Sequence, residues 1–167
     1  MTRLRLERLG SQHDVSQFES GNQAIDTWLH RHGLAAQQMD SARTFLLVRD
    51  RAVIGYFSLT MGSVLRAEAP SKLVRGLPGY PVGMVLLARL GVDQREQGTG
   101  LGALLLADAL RKSVAAGEVA AARLVVVDAI DDVAVSFYER FGFIGAPGHT
   151  HRLYRRMKDI RASLDAG

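Results

Sequence analysis

The chain contains no cysteine. Disulfides, thiolate nucleophiles and cysteine-based metal sites are therefore excluded. No apolar run approaches the roughly 18 residues of a membrane span. The opening, Met1-Thr2-Arg3-Leu4-Arg5-Leu6-Glu7-Arg8, alternates charge with leucine and leads into nothing like a secretory signal. A cytoplasmic protein is the expectation. Lysine is scarce: Lys72, Lys112 and Lys158 are three of 21 basic residues, and the rest are arginine. Proline is scarce and clustered: three of the four, Pro70, Pro78 and Pro81, lie between residues 66 and 83 among glycines, which marks a loop holding one short helix over Ser71–Arg75.

What is present is ordinary for a soluble domain. The 167 residues are 47% hydrophobic and 23% charged, enough for one domain with a proper core. The whole of 1–167 reads as a single domain with a tail at 158–167 that forms a short helix or a frayed end, without repeats, linkers or low-complexity segments. Net charge is +4. Arginine makes bidentate, permanently charged contacts with phosphate, which suits a polyanion such as coenzyme A or nucleic acid. A high-GC genome gives the same arginine bias, so charge alone does not choose.

Leu4, Leu6 and Leu9 among charges predict a half-exposed first strand. Asn22 to Asp40 reads as a helix capped by Asn22, with Ile25, Trp28, Leu29 and Ala36 near helical spacing and Gly33 as a break point. Thr44–Val48 and Val53–Leu59, the latter extending as far as Leu65, predict a hairpin around Asp50-Arg51. Met84–Val92 is an apolar central strand interrupted by Arg89, which must find a partner or face a cleft. Gly98–Ala116 is a helix closed by Gly117. Ala122–Ile130 is a buried strand, and Asp131 or Asp132 caps a short helix through Arg140 that Gly142 stops. Leu153–Met157 is the last strand. The order β-α-β-β-β-α-β-α-β predicts an α/β (α+β) fold, a mixed sheet with helices on its faces.

The sharpest signal is Leu90-Gly91-Val92-Asp93-Gln94-Arg95-Glu96-Gln97-Gly98-Thr99-Gly100-Leu101-Gly102, running into Ala103-Leu104-Leu105-Leu106. An apolar strand gives way to a polar loop and a glycine-rich turn that opens a helix. Backbone N–H groups at the positive end of a helix dipole form a phosphate site. Gly98 and Gly100 let backbone approach closely, Arg95 adds charge, and Gln97 and Thr99 add polar contacts. Downstream lies Phe137-Tyr138-Glu139-Arg140-Phe141-Gly142-Phe143, in which Phe137 and Phe141, four apart, pack one helix face.

Together these two stretches resemble the GNAT-family N-acetyltransferases. The resemblance implies a twisted mixed sheet with a splayed central pair of strands, and acetyl-CoA as co-substrate. It implies that Leu90, Gly91, Val92, Arg95, Gln97, Gly98, Thr99, Gly100, Leu101, Gly102, Asp131 and Phe137 bind that cofactor. Gly91 suits a bulge, and the N–H of Leu90 or Val92 polarises the thioester carbonyl. Tyr138 is implied as the general acid for the departing thiolate, protonated near neutrality as an acid must be. No general base stands out among Glu68, Glu96, Glu118 and Glu139. An α-amino group titrates near 8 and needs positioning more than deprotonation. His30 and His32 face different ways, and His149 and His151 lack a third partner, so no metal is expected.

The resemblance narrows further. Phe18-Glu19-Ser20-Gly21-Asn22, Trp28-Leu29, Ala42-Arg43-Thr44-Phe45 and Gly55-Tyr56-Phe57-Ser58-Leu59 are similar to the toxin branch of the family, over about Leu4 to Tyr154. This branch acetylates the α-amine of aminoacyl-tRNA and blocks translation. It is neutralised by a ribbon-helix-helix antitoxin and is commonly a homodimer. Arg75 and Arg89 are the implied tRNA phosphate contacts, with Arg31 and Lys72 as weaker candidates. Two departures stand out: glycine sits at Gly91 where the family often has alanine, and only Arg75, followed by Gly76, remains of a doubly basic loop. A GNAT acting on a small-molecule or protein amine is the alternative enzyme. A non-catalytic acetyl-CoA-binding module, or the DNA-binding regulatory half of an antitoxin complex, is the alternative outside catalysis.

Overall fold

The structure, a computed structural model, describes residues 3–166; Met1 and Thr2, and Gly167 at the end of the expected tail, lie outside them. In chain order the elements are β1 (Leu4–Arg8), α1 (Gln23–Thr27), a π-helical turn (Trp28–Gly33), α2 (Leu34–Gln38), β2 (Arg43–Arg49), β3 (Ala52–Val64), α3 (Ser71–Val74), β4 (Val82–Val92), α4 (Leu101–Val119), β5 (Leu124–Asp128), α5 (Asp132–Arg140), β6 (Ile144–Gly145), β7 (Arg152–Arg156) and α6 (Met157–Ala166). The strands form a mixed sheet in the order β1-β2-β3-β4-β5-β7-β6. β4 and β5 are parallel, whereas β1–β2, β2–β3, β5–β7 and β6–β7 are antiparallel. The expected α/β class holds.

The chain divides into two compact units. One runs to Thr60 and includes Ala88–Ala109; the other comprises Met61–Leu87 and the chain from Leu110.

In the first unit, Asp50 and Arg51 both adopt positive φ, 48° and 70°. Two left-handed residues make the turn whose twist matches a hairpin, so β2 and β3 pair as expected. The Asn22 side chain accepts a hydrogen bond from the Ile25 N–H at 3.0 Å and caps α1. Gly33 does not break the helix. Its backbone is helical, φ −58° and ψ −50°, and the chain passes through the π-turn straight into α2. A Cβ there would sit 3.4 Å from both Leu29 and Leu9, so the missing side chain permits close packing. The core of this unit gathers Leu9, Phe18, Ile25, Leu29, Leu46, Val48, Val53 and Tyr56.

In the second unit, β4 pairs with β5 over Met84–Leu87 against Leu124–Val127. Val64, Leu73, Val74, Val82, Met84, Leu124, Val126 and Tyr154 form its core. Several boundaries differ from expectation, among them the start of α4, at Leu101 rather than Gly98, and of β4, at Val82 rather than Met84. Gly117 does not end α4, which continues to Val119; a Cβ on Gly117 would lie 3.1 Å from Met157 Cε, so this glycine makes room for α6. Met157 opens α6 instead of closing the last strand, and the expected tail is a helix burying Met157 and Ile160. The strand expected over Ala122–Ile130 shortens to β5. The two-residue β6 is too short to leave a periodic signal.

Gly91 tests how tightly α1 is fitted to β4. A Cβ there would lie 2.7 Å from Ile25 Cγ2 and 3.5 Å from Phe18 Cζ, both core atoms. Gly91→Ala is expected to destabilise the fold by about 1–3 kcal/mol through overpacking, read from the urea midpoint. Gly145→Ala, where a Cβ meets nothing within 4 Å, is expected to change stability by less than about 0.5 kcal/mol.

Candidate active site

The phosphate loop is assembled around one buried carboxylate. Asp93, 1% exposed, follows the last residue of β4. Its N–H donates to the Ile54 carbonyl at 2.8 Å, fixing the end of the strand. Its side chain accepts from the Arg95 N–H at 3.0 Å and caps a single 3-10 turn over Gln94–Glu96. The same carboxylate accepts from the Glu19 N–H at 3.1 Å and takes both prongs of the Arg95 guanidinium, at 2.8 and 3.1 Å. Burial alone would raise the Asp93 carboxyl, but these donors outweigh it and hold the group below its ordinary value. Gln97 Nε2 donates to the Ser20 and Val92 carbonyls at 2.7 and 3.0 Å, and Thr99 Oγ1 donates to the Glu96 carbonyl. The Phe18–Gly21 segment is thus stitched to the loop, and a polar pocket of about 220 Å³ lies among Ser16, Gln17, Glu19, Asp93, Gln94 and Arg95.

Past this anchor the chain turns through Gly98 and Gly100 into α4. Both glycines have positive φ, 82° and 87°, and a Cβ on either meets nothing within 4 Å. The first N–H groups of a helix have no partner within it. A 19-residue helix behind an open, side-chain-free turn fits a pyrophosphate. Arg95 is paired with Asp93, Gln97 ties the loop to Ser20 and Val92, and Thr99 bonds its own loop, so all three side chains also hold the shape of the loop.

Gly91 also has a reason the sequence did not suggest: it clears space for Ile25. In β4, Arg89 is half-buried and its guanidinium carbon stands 4.1 Å above the Trp28 ring. The partner demanded by an arginine in an apolar strand is an aromatic face. Burial draws Arg89 below its ordinary value, far short of neutralising it.

In the second unit, Asp131 is the cap of α5, accepting from the Ala134 N–H at 2.8 Å. Tyr138 is buried, 6% exposed, between edge-on contacts with Phe137 at 5.2 Å and Phe143 at 5.8 Å. Phe137 also meets Phe141 at 5.1 Å. The aromatic corner orients the phenol, and burial pushes its ionisation further up from the ordinary value. In that environment the phenol stays protonated at neutral pH. Arg75 is exposed and lines a groove of about 640 Å³ with Leu65, Arg66 and Val74. Lys72 lines another of about 340 Å³ with Arg155 and Arg156, while Arg31 sits exposed in the π-turn.

Residues 11–143 match the acetyltransferase (GNAT) family. The chain belongs to this family. This acetyltransferase is 39% identical over 157 residues to the tRNA-acetylating toxin of Mycobacterium tuberculosis (strain ATCC 25618 / H37Rv), with 94% of each chain covered. It is 24% identical to the probable toxin TacT of Sinorhizobium fredii (strain NBRC 101917 / NGR234), covering 92% of this chain and 91% of the relative. Its fold is similar to AtaT complexed with acetyl-methionyl-tRNAfMet, with a TM-score of 0.89, 28% identity, and 97% and 99% of the two chains covered. It is likewise similar to a mutant AtaT toxin bound to the C-terminus of the antitoxin AtaR and acetyl-CoA, with a TM-score of 0.84, 26% identity, and 98% and 99% covered.

The acetyltransferase uses acetyl-CoA as its acetyl donor. Of the candidate bases, Glu96 is paired with Arg49, and Glu68, Glu118 and Glu139 are not held in any buried pair. His30 Nε2 donates to the Phe18 carbonyl at 2.9 Å, and His151 lies between Thr150 and Asp132 at 3.0 Å from each. Among the described residues no group of three His, Asp or Glu could hold a metal ion. No helix among them is long and apolar enough to cross a membrane. Sequence reasoning missed the central part played by Asp93; its only signal was an acidic residue following an apolar strand.

The Asp93 anchor carries a pH signature. Its native ionisation lies below the ordinary 3.8, so its contribution is complete above that value and lost as pH falls through the lower native one. Asp93→Asn is expected to cost about 2 kcal/mol near pH 7. In urea unfolding between pH 7 and 3, the gap between wild type and Asp93→Asn is expected to narrow below about pH 4. A gap that stays constant would assign the loss to packing.

Proposed function

We propose that this acetyltransferase is the toxin of a type II toxin–antitoxin pair, transferring acetyl to the α-amine of aminoacyl-tRNA and so blocking translation. The observation that carries the reading is 39% identity to a tRNA-acetylating toxin along nearly the whole chain. The likeness to AtaT bound to its acetylated tRNA product supports it. Residues 1–167 serve as one catalytic domain, working in the cytoplasm as a homodimer. The inhibitor is a ribbon-helix-helix antitoxin.

Acetyl-CoA, when bound, supplies the activated acetyl group. The amides of Gly98 to Gly102 receive the pyrophosphate. Leu90, Gly91 and Val92 offer strand backbone to the pantetheine arm, and one N–H of Leu90 or Val92 takes up the charge developing on the carbonyl oxygen. Arg95, Gln97 and Thr99 act on the cofactor through the shape of the loop, and Asp131 and Phe137 are assigned to the same cofactor. The amine nitrogen forms the new C–N bond as the C–S bond breaks. Tyr138 gives its phenolic proton to the departing sulfur, and the proton lost from nitrogen restores the phenol. Arg75 and Arg89 hold tRNA phosphates.

The deciding assay is transfer of labelled acetyl to charged tRNA, with deacylated tRNA and free amino acids as controls. Label confined to charged tRNA is expected. Label appearing only on small amines or on protein would replace this acceptor with the alternative one, for which the thinly charged Arg75-Gly76 loop is the relevant feature. Tyr138→Phe is expected to lower kcat about 10²-fold with little change in KM for acetyl-CoA. With the phenol protonated throughout, kcat/KM is expected to rise through the amine's ionisation and show no falling limb below about pH 10. Unchanged turnover in Tyr138→Phe would remove its role as acid.

A further inference from the structure

Arg89, Trp28, Tyr56 and Phe18 form a stack within the first unit. The Arg89 guanidinium lies on one face of Trp28, 4.1 Å from the ring centre. Trp28 lies parallel to Tyr56, with centroids 6.1 Å apart and an interplanar angle of 8°. Tyr56 is fully buried, gives its hydroxyl proton to the Ile25 carbonyl at 2.7 Å, and meets Phe18 edge-on at 5.5 Å. The tryptophan is thereby held from below by a ring that cannot move, at the first residue of the π-turn. Interruptions of this kind recur at functional sites.

The arginine on top is paired with no carboxylate among the described residues. A half-buried cation without a counter-charge is a cost to folding that packing alone does not recover. Stacking occupies the face of the guanidinium, while its five N–H donors lie in the plane. Arg89 is only half-buried and its donors meet no acceptor among the described residues, which leaves them for a planar or forked acceptor. Lysine at this position would offer neither the flat face nor the fork. A phosphate diester is the acceptor chemistry that matches a pre-oriented, permanently charged fork.

We propose that Trp28 is a positioning residue for the RNA acceptor: its ring holds the Arg89 guanidinium so that the in-plane donors meet a backbone phosphate of the tRNA. The assignment rests on the acceptor proposed above. It explains why the single tryptophan of the chain sits partly buried with one face given to a cation.

The test uses the full chain saturated with acetyl-CoA. Steady-state KM values for charged tRNA and for acetyl-CoA, the binding of charged tRNA at several salt concentrations, and Tm are measured for wild type, Trp28→Leu, Trp28→Phe and Arg89→Lys. Trp28→Leu is expected to raise the KM for charged tRNA about tenfold and leave that for acetyl-CoA within about twofold. Trp28→Phe keeps an aromatic face and is expected to recover most of the loss. Arg89→Lys is expected to match Trp28→Leu despite its intact charge. A lower Tm in Trp28→Leu with both KM values unmoved, or both raised in the same proportion, would make Trp28 a core residue only and overturn the assignment. If Trp28→Leu does not fold, Arg89→Lys decides: binding charged tRNA as tightly as wild type overturns it. A wild type that neither binds nor acetylates charged tRNA removes the proposed acceptor and this assignment together. A wild type that acetylates charged tRNA, with variants that match it, removes this assignment alone.

Discussion

A single buried carboxylate organises the loop between β4 and α4. Asp93 sits where β4 ends, and each oxygen is occupied: by the Arg95 amide, by the Glu19 amide and by the two prongs of the Arg95 guanidinium. These bonds turn the chain out of the strand, cap the 3-10 turn, and tie the loop to the Phe18–Gly21 segment. Everything downstream follows from that turn, because the direction in which Gly98 and Gly100 present their amides is set by where the loop leaves Asp93. A buried charge tolerates no loss of its donors, so the loop has one arrangement rather than several.

The same economy appears in the side chains that surround the chemistry. Arg95, Gln97 and Thr99 look like ligands, yet each is committed within the protein. The backbone of the glycine turn depends for its position on those commitments. Tyr138 is fixed by Phe137 and Phe143 on either side, and the burial that fixes it also keeps it protonated. Arg89 is held by an aromatic face. In all three places a polar side chain is held in one orientation by its neighbours, and a group fixed in advance loses less ordering entropy when it binds.

Much of this was legible from residue order. The hairpin at Asp50-Arg51, the cap at Asn22, the cap at Asp131, the apolar strand ending in a polar loop, and the glycine turn into α4 all depend on neighbours within a few positions. Local chemistry writes such features directly into sequence. Glycine was the least readable residue. Gly33 and Gly117 look like breaks, but each lies inside a helix, making room for Leu9 and for Met157 respectively. Whether a glycine ends a helix or relieves a contact depends on a residue far away in the chain.

The sequence by itself determined the family, the glycine turn that opens α4, and the arginine that needed a partner. These rest on short-range patterns and on the misfit of one charge in an apolar run. Only the tertiary structure decided what that arginine rests on, which loop side chains bond within the protein, and that the terminal helix is seated through Met157 and Ile160. Those outcomes require residues separated by tens of positions to meet, and packing in three dimensions, not propensity, selects which of them do.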